Sequence, residues 1–389
     1  MSFWQNIEKP IIGLSPMDGV TDASFRFIAA KHGGPDVILT EFVSVDAAAF
    51  APHSLLKDLA YSEIERPIVA QIYGHAPDAF YRAAHIVCAL GFDGLDINMG
   101  CPAKKVAAKG SGAGLILTPE LARAIIRAAR RGIRDWFEGQ TLSALSVAPE
   151  FVREIDAANR RRTGAATPPA RRLIPVSVKT RIGYEDIVVE DWIGNLLAER
   201  PAAISIHGRT LKQQYRGSAD WDAIARAVRA AKGSGTLILG NGDLRSMQDV
   251  YRRVGETGVD GALIGRSTQG NPWIFKAKGR VKEALRSTGA AAIHEPPVGL
   301  EERFRVALEH AGHFTGHRGE ASFVAMRKHL AWYCHSSPGA AQLRSQMVRV
   351  NGLDEVVECL RKYTAALAGA PETMARVFPE HESSTGLSI

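Results

Sequence analysis

The sequence contains few cysteines and no spacing that would pair them. Four cysteines are spread over 389 residues: Cys88, Cys101, Cys334 and Cys359. Such sparse cysteines without a CxxC pair exclude a disulfide framework and argue against a structural zinc site. We therefore expect a reducing, cytoplasmic compartment.

Long apolar runs and targeting segments are also missing. No stretch approaches the roughly 20 apolar residues that a membrane helix needs. The first residues, MSFWQNIEKP, lack a basic segment followed by an apolar one, so we expect neither a secretory signal nor a membrane association. No GxGxxG motif follows the first apolar run, which excludes a typical Rossmann site for a tightly held dinucleotide.

Short apolar runs recur along the first part of the chain, and helical patterns lie between most of them. The runs occupy residues 11–17, 36–44, 67–74, 94–100, 174–183, 202–210, 236–243 and 261–266. The helical patterns occupy residues 22–33, 77–91, 118–132, 190–200, 220–233 and 246–258. Near-continuous apolar runs are typical of parallel strands buried on both faces. Eight of them alternating with helices predict an α/β fold, a (β/α)8 TIM barrel. A doubly wound open sheet is the alternative, but it usually has fewer strands and a glycine-rich first turn.

The barrel accounts for residues 1–290, with an insertion at about 134–173 whose second half, 159–172, we expect to be flexible. Helical periodicity returns at 298–370 and predicts a small all-helical C-terminal domain. Residues 371–389 are expected to form a loose tail. We expect the protein to be a monomer.

Polar residues follow the apolar runs at the ends where a barrel carries its active site. Glycine-rich GNGD and GRSTQG follow the seventh and eighth runs, the usual phosphate-binding place in such barrels, and Arg266 adds a positive charge there. Lys179 and His207 end two other runs, and Gln71 offers a two-way amide for an imide edge. Together they favour a phosphorylated cofactor with a planar imide ring, which FMN fits.

Several stretches resemble the tRNA-dihydrouridine synthases, most closely the bacterial B-type subgroup. They are SPMDGVTDASFR (15–26), DINMGCPAKKV (96–106), VKTRIG (178–183), IHGRT (206–210), NGD (241–243), IGRSTQGNPWIF (264–275) and MRKHLAWY (326–333). The resemblance covers residues 1–370 and implies an FMN-carrying barrel followed by a helical tRNA-binding domain.

The same resemblance implies roles for individual residues. The implied FMN contacts are Pro16, Met17, Asp18, Gln71, Lys179, His207, Asn241, Gly242, Asp243, Gly265 and Arg266. Asn98 would hold the target uracil, and Cys101 would donate a proton. NADPH would reduce FMN, a D-loop uridine would leave its stack, hydride would pass from flavin N5 to uracil C6, and Cys101 would protonate C5.

Basic residues suggest where the RNA would lie, in a chain whose net charge is +7. The predicted substrate and tRNA contacts are Asn98, Lys104, Lys105, Arg181, Arg327, Lys328 and His329. Solvated loops and helix faces are the alternative explanation of such charges, but here Trp332 and Tyr333 add aromatic area. His310, His313 and His317 share a helix face, but no carboxylate or cysteine joins them, so we expect no metal site.

The sequence departs from the family pattern at Asp18, where alanine is usual, and at Ala107 and Ala108, where Asn-Arg is usual. Two other functions stay open. A flavin barrel that reduces a small molecule leaves the basic helical part without a purpose. A non-catalytic RNA-binding protein would need neither Cys101 nor Lys179.

Overall fold

A closed sheet of parallel strands lies at the centre of the molecule. The structure is a computed structural model and describes residues 2–46, 52–287, 291–335 and 338–368, without the side chains of 52–54, 104, 105 and 368. The strands are β1 (Ile11–Leu14), β2 (Ile38–Leu39), β3 (Val43–Ser44), β4 (Ile68–Tyr73), β5 (Gly94–Met99), β6 (Val176–Arg181), β7 (Ala203–His207), β8 (Leu237–Asn241) and β9 (Gly261–Ile264). Because β1 pairs with both β9 and β2, and β2 pairs with β4, the sheet closes on itself. The predicted (β/α)8 barrel is confirmed.

The second predicted strand is broken into β2 and β3, which both pair with β4. Between them the chain leaves the ladder, and the hydroxyl of Thr40 accepts the hydrogen bond of the Gln71 backbone N–H at 3.0 Å. This side chain replaces a backbone acceptor that the break removes. The break turns Phe42 toward the mouth of the barrel, where it lines the cavity described below.

Helices surround the barrel. They are α1 (Phe3–Asn6), α2 (Ala23–His32), α3 (Pro52–Asp58), α4 (Pro77–Ala89), α5 (Lys104–Ala107), α6 (Pro119–Phe137), α7 (Pro149–Thr163), α8 (Val189–Leu197), α9 (Trp221–Ala230), α10 (Met247–Thr257) and α11 (Lys278–Arg286). Side chains of Asp22, Asp220 and Ser246 accept backbone N–H bonds at the starts of α2, α9 and α10. Such caps satisfy the free donors of a first turn, so these helices begin where the sequence predicts.

Helix α6 is longer than its sequence pattern predicts. It passes through Gly132, where the pattern ended, and continues to Phe137. A Cβ atom at Gly132 would lie 2.4 Å from the carbonyl oxygen of Tyr81 and 3.0 Å from the Cβ of Ala84. The glycine therefore allows α6 to pack closely against α4, and it does not end the helix.

The interior of the barrel has two chemically different halves. The lower half, at the amino ends of the strands, is filled by apolar residues that include Ile11, Val69, Ala203 and Leu237, with Trp4 of α1 below them. The upper half holds buried polar residues, which include Gln71, Asp96, Asn98, Ser177 and Arg181. Polar groups that can support a functional site therefore lie on the strands inside the barrel as well as in its loops.

The C-terminal helices are α12 (Leu300–Arg318), α13 (Arg327–Tyr333), α14 (Ala340–Met347) and α15 (Leu353–Ala368). They share a hydrophobic cluster that also contains Ile28 of α2 and Trp273, which follows β9. This cluster joins the helices to one side of the barrel. The predicted tail at 371–389 lies outside the described residues. None of the described helices combines the length and the apolar character needed to cross a bilayer.

The insertion is more firmly attached to the barrel than the sequence suggests. Its helix α7 runs to Thr163, and Arg162 then donates to the carbonyl of Leu90 at 3.0 Å and lies over the ring of Tyr61 at 4.3 Å. Arg171 stacks on Trp136 at 4.1 Å. The expected flexible segment 159–172 is therefore held by its arginines, because their donors meet carbonyls and rings that the sequence alone does not bring near.

One buried ion pair fixes the start of α2 below the loop that follows β1. The Nε atom of Arg26 donates to Oε2 of Glu65 at 2.8 Å, and both side chains are fully buried. Arg26 also donates to the carbonyls of Thr21, at 2.9 Å, and Ala60. Burial raises the pKa of Glu65, and the attraction of Arg26 opposes that shift. The carboxylate is thus needed mainly to compensate a guanidinium that cannot reach water.

We expect Glu65→Ala to lower the free energy of unfolding by about 3–5 kcal/mol, because it leaves the Arg26 charge buried without its counter-charge. Urea unfolding followed by circular dichroism measures the loss. The double variant Arg26→Met/Glu65→Met should recover much of it, since no unpaired charge remains. A single variant as stable as the parent would contradict this role.

Candidate active site

The carboxyl ends of the barrel strands surround a cavity of about 790 Å³. Most of the predicted cofactor contacts line it: Pro16, Met17, Asp18, Lys179, His207, Asn241, Gly242, Asp243, Gly265 and Arg266. Asn98, Cys101 and Arg181 line it as well. Residues that are up to about 250 positions apart in the chain meet here because parallel barrel strands all end at the same face.

The loop that carries Cys101 is held from two sides. Oδ1 of Asn98 accepts the backbone N–H bonds of Gly100, at 3.0 Å, and of Cys101, at 2.8 Å. On the other side, Nε of Arg181 donates to the carbonyl of Gly100 at 2.7 Å. These bonds fix the backbone on both sides of the peptide that presents the thiol, so Cys101 has a defined position at the cavity wall.

The thiol of Cys101 is a weak acid in this setting. Its side chain is only 6% exposed, and this burial raises its pKa, with the negative charge of Asp18 acting in the same direction. The backbone N–H of Ala103 and the charges of Arg181 and Lys179 oppose the shift without reversing it. Cys101 therefore carries its proton at neutral pH, which suits a proton donor better than a nucleophile.

Lys179 provides a cation at the base of the cavity. Its Nζ donates to Oδ1 of Asn241 at 3.2 Å. Burial and the neighbouring charge of Arg181 lower its pKa to about 8, and the carboxylate of Asp96 opposes this shift. His207 stands beside these cations, and burial with their repulsion lowers its pKa well below the usual value. The imidazole is therefore neutral, and Lys179 is positive at neutral pH.

Gln71 does not lie in the cavity wall, contrary to the predicted cofactor contact. It is fully buried beneath the wall, where Nε2 donates to Asp96 at 2.7 Å and Oε1 accepts from Asn98 at 2.9 Å. The amide edge that was expected to meet an imide ring is instead bonded to two side chains of the neighbouring strand β5. The difference arises because strand register, which the sequence does not show, places Gln71 opposite Asp96.

The loops after β8 and β9 form the opposite end of the cavity. Gly242 has a φ of +125°, and a Cβ there would lie 2.7 Å from Ala219. Asp243 accepts from Arg209 at 2.8 Å, from the backbone of Ala219 at 2.8 Å and from Arg266 at 3.2 Å. Burial alone would raise the pKa of Asp243, but these donors lower it overall. Asp243 thus braces the loop, whereas the side chain of Arg266, 60% exposed, is available to an anion.

Tyr215 and Phe42, which were not predicted from the sequence, also line the cavity. Tyr215 is 64% exposed, and the guanidinium of Arg266 lies 5.6 Å from its ring centre. It belongs to the loop after β7, whose path the sequence does not reveal. An aromatic residue within a polar loop that follows a strand end is the signal that would have found it.

The predicted RNA contacts on the C-terminal helices have different environments. Lys328 donates to the carbonyl of Gly19 and so connects α13 to the loop after β1. Arg327 donates to the carbonyl of Val350 at 2.7 Å and to Asn351 at 2.7 Å, where it supports the fold. The ring of His329, by contrast, is only 1% exposed and packs near Phe25 in this structure.

Two predictions remain: that Lys104 and Lys105 contact RNA, and that the chain holds no metal. The side chains of Lys104 and Lys105, in α5, lie outside the described part of the chain. Among the described residues, no group of three or more His, Cys, Asp and Glu side chains is arranged to hold a metal ion. His310 instead bonds Tyr333 at 3.1 Å, and His313 bonds Ser24 at 3.0 Å.

We expect alkylation of Cys101 by iodoacetamide to have a pH midpoint above that of N-acetylcysteine, because the buried thiol ionises only at higher pH. Peptide-resolved mass spectrometry measures the profile. Asp18→Asn should lower the midpoint, since it removes a negative charge. Asp46→Asn, at an exposed residue outside the cavity lining, should leave it unchanged. A midpoint at or below that of the free thiol would contradict this description of the site.

Comparison with known proteins agrees with this geometry. The family model described as "Dihydrouridine synthase (Dus)" matches residues 13–135 and 143–368. A "Probable tRNA-dihydrouridine synthase" of Staphylococcus epidermidis is 30% identical over 95% of this chain and 99% of its own length. The "Probable tRNA-dihydrouridine synthase 2" of Bacillus subtilis is 30% identical over 93% and 98%. A solved structure of DHODH from Eimeria tenella is 14% identical over 71% of this chain and 80% of its own, with a TM-score of 0.41, too low to bear on function. The chain belongs to the dihydrouridine synthase family, as its motifs predicted.

Proposed function

We propose that the protein is a tRNA-dihydrouridine synthase, which uses FMN and NADPH to reduce the C5–C6 double bond of a D-loop uridine. The observation that carries this proposal is Cys101, a protonated thiol held rigidly at the wall of a cavity that is cationic at its base and far end. The names of the relatives, which match nearly the whole chain, support the same activity.

The cavity has the features that FMN requires. Its far end combines a close backbone approach at Gly242 with an exposed guanidinium at Arg266, which together suit a phosphate. Its base offers Lys179 as a donor, and Pro16 and Met17 provide an apolar wall for a planar ring. When bound, the flavin would supply the hydride that it receives from NADPH.

Cys101 and Asn98 act on the uracil. The thiol of Cys101 delivers a proton to C5, and the hydride arrives at C6, so that one NADPH and one proton reduce one uridine to dihydrouridine. An amide nitrogen carries two hydrogens, and Nδ2 of Asn98 uses one of them toward Gln71. Because Asn98 also lines the cavity, we infer that its second hydrogen binds a uracil carbonyl.

We assign the RNA contacts to the cavity rim and the C-terminal helices. Arg245 is exposed at the rim, and Lys328 lies where α13 meets the loop after β1. Such cations position a phosphate backbone without reading its sequence. The proposal thus places catalysis in residues 1–290 and tRNA binding mainly in 298–370, in a cytoplasmic monomer. A small-molecule reductase would have no use for this second part.

Loss of the thiol should abolish most turnover. In a strain that lacks the gene, complemented with Cys101→Ala, we expect the dihydrouridine level at the target position to stay low, because a general acid contributes roughly 10²–10⁴-fold. Site-resolved mapping of dihydrouridine in tRNA measures this, with wild type and Cys359→Ala as controls. The Cys101→Ala protein should keep its flavin and its affinity for tRNA.

Two results would count against this assignment. Full activity of Cys101→Ala would show that another group delivers the proton. Unchanged dihydrouridine at every position in the deletion strain, in a host without a second synthase for the same position, would exclude the proposed reaction.

Arg266 should matter for the phosphate of the cofactor and not for its ring. We expect Arg266→Ala to weaken FMN binding about 10–100-fold, because it removes a charge-assisted hydrogen bond. Binding of riboflavin, which lacks the phosphate, should change less than about twofold. Flavin fluorescence titration of the flavin-free protein measures both affinities, and Arg216→Ala, outside the cavity lining, is the matched control. Equal losses for FMN and riboflavin would contradict a phosphate contact.

A further inference from the structure

A chain of buried hydrogen bonds runs from the Cys101 loop into the barrel. The backbone N–H of Cys101 donates to Oδ1 of Asn98 at 2.8 Å, Nδ2 of Asn98 donates to Oε1 of Gln71 at 2.9 Å, and Nε2 of Gln71 donates to Oδ2 of Asp96 at 2.7 Å. Asn98 is 6% exposed, and Gln71 and Asp96 are almost fully buried. The loop is thereby connected to a carboxylate in the middle of the barrel.

The direction of this chain is set by its two ends. A backbone N–H can only donate, and an ionised carboxylate can only accept. Two amides stand between them, and only one orientation of each makes all three bonds. If Gln71 turned over, its oxygen would face the carboxylate, Asn98 would have to turn as well, and the amide nitrogen of Asn98 would then face the N–H of Cys101. The orientation of the Asn98 amide therefore depends on the charge of Asp96, to which it is linked through Gln71.

The members of the chain stand on rigid strands. Gln71 on β4 lies directly opposite Asp96 on β5, and Asp96 lies opposite Ser177 on β6. Asn98 follows Asp96 by two residues on β5, so both side chains point to the barrel interior. The hydroxyl of Ser177 donates to the other oxygen of Asp96 at 2.6 Å. The carboxylate thus accepts from Ser177 through one oxygen and from Gln71 through the other.

We propose that Asp96 and Gln71 are positioning residues for Cys101: the Asp96 carboxylate orients the amide of Gln71, which orients Asn98, whose oxygen holds the Cys101 loop against the cavity. The effect on turnover rests on the function proposed above, whereas the effect on the loop does not. In this assignment Gln71 acts on Asn98, and not on the cofactor as the sequence led us to expect.

The charge of Asp96 supports this chain of hydrogen bonds, from Asp96 through Gln71 and Asn98 to the Cys101 loop, at physiological pH. We call it the relay. Burial raises its pKa to about 6, and the bonds from Ser177 and Gln71 and the charge of Lys179 hold it from rising further. Asp96 is therefore ionised at neutral pH and acts only as an acceptor. It also faces Lys179, so an electrostatic role toward that lysine is the competing explanation.

Four variants separate the two explanations. Gln71→Met removes the amide but keeps Asp96 beside Lys179. Asp96→Leu removes the carboxylate that orients Gln71. Gln71→Glu places a second carboxyl group against Asp96, and two buried carboxylates in contact share one proton. The proton can bridge the pair, so the other oxygen of Glu still offers Asn98 an acceptor and preserves its orientation. Ser177→Ala is the matched control, because it removes a hydrogen bond of Asp96 and leaves the relay complete.

Hydrogen exchange of the flavin-loaded protein, followed by mass spectrometry of peptides that cover 98–103, reads the loop directly. We expect exchange there to be about fivefold faster or more in Gln71→Met and Asp96→Leu, as the loss of one hydrogen bond predicts. Gln71→Glu and Ser177→Ala should stay within about twofold of wild type. The double variant Asp96→Leu/Gln71→Glu should recover most of the protection.

Unchanged exchange in Gln71→Met would overturn the proposal, and this variant decides the question even where Asp96→Leu fails to fold. An effect of Asp96→Leu without an effect of Gln71→Met would assign Asp96 to Lys179 instead. The exchange readout does not require dihydrouridine formation, so failure of the proposed function is seen separately, in the tRNA mapping.

Turnover provides a second, independent test. Gln71→Met should lower kcat in the wild-type background and have no further effect in Cys101→Ala, because residues that act through one group are not additive. A further loss in the Cys101→Ala background would show that Gln71 acts through the flavin and would contradict its role as a positioning residue.

Discussion

A polar group inside the barrel must find its partner there, because bulk water does not reach it, and the rest of the site depends on this constraint. Lys179 meets Asn241, Asp96 meets Gln71, and Asn98 meets the loop of Cys101. The first bond joins β6 to β8, the second joins the neighbouring strands β5 and β4, and the third holds the loop after β5 to the end of that strand. The groups that would touch a ligand are thus fixed by the closed sheet itself, which makes the cavity preorganised before anything binds.

The same burial acts in opposite directions on the two kinds of ionisable group at the cavity. It lowers the pKa of Lys179 to about 8 and raises that of the Cys101 thiol, since it disfavours the charged form of each. His207 becomes neutral for the same reason. The result is a site with a neutral acid at one wall and positive charge at its base, which matches the proton and anion chemistry proposed for it.

Much of the fold could be predicted from the residues alone. Eight apolar runs with helical patterns between them indicated the barrel, because both periodicities are local properties of the chain. The local signals failed where a distant partner decided the outcome. Gly132 looked like a helix end, but it is the contact point of α6 with α4. Arg162 and Arg171 looked like parts of a loose basic segment, but they stack on the rings of Tyr61 and Trp136.

The sequence by itself determined the family, the barrel and which strand ends carry functional groups, because motifs and periodicities are written in neighbouring residues. Only the tertiary structure decided how each group is used. Register across β4 and β5 placed Gln71 beneath the wall, packing against α2 buried His329, and the path of one loop brought Tyr215 to the cavity. These outcomes depend on pairs of residues far apart in the chain, whose proximity exists only after the sheet has closed.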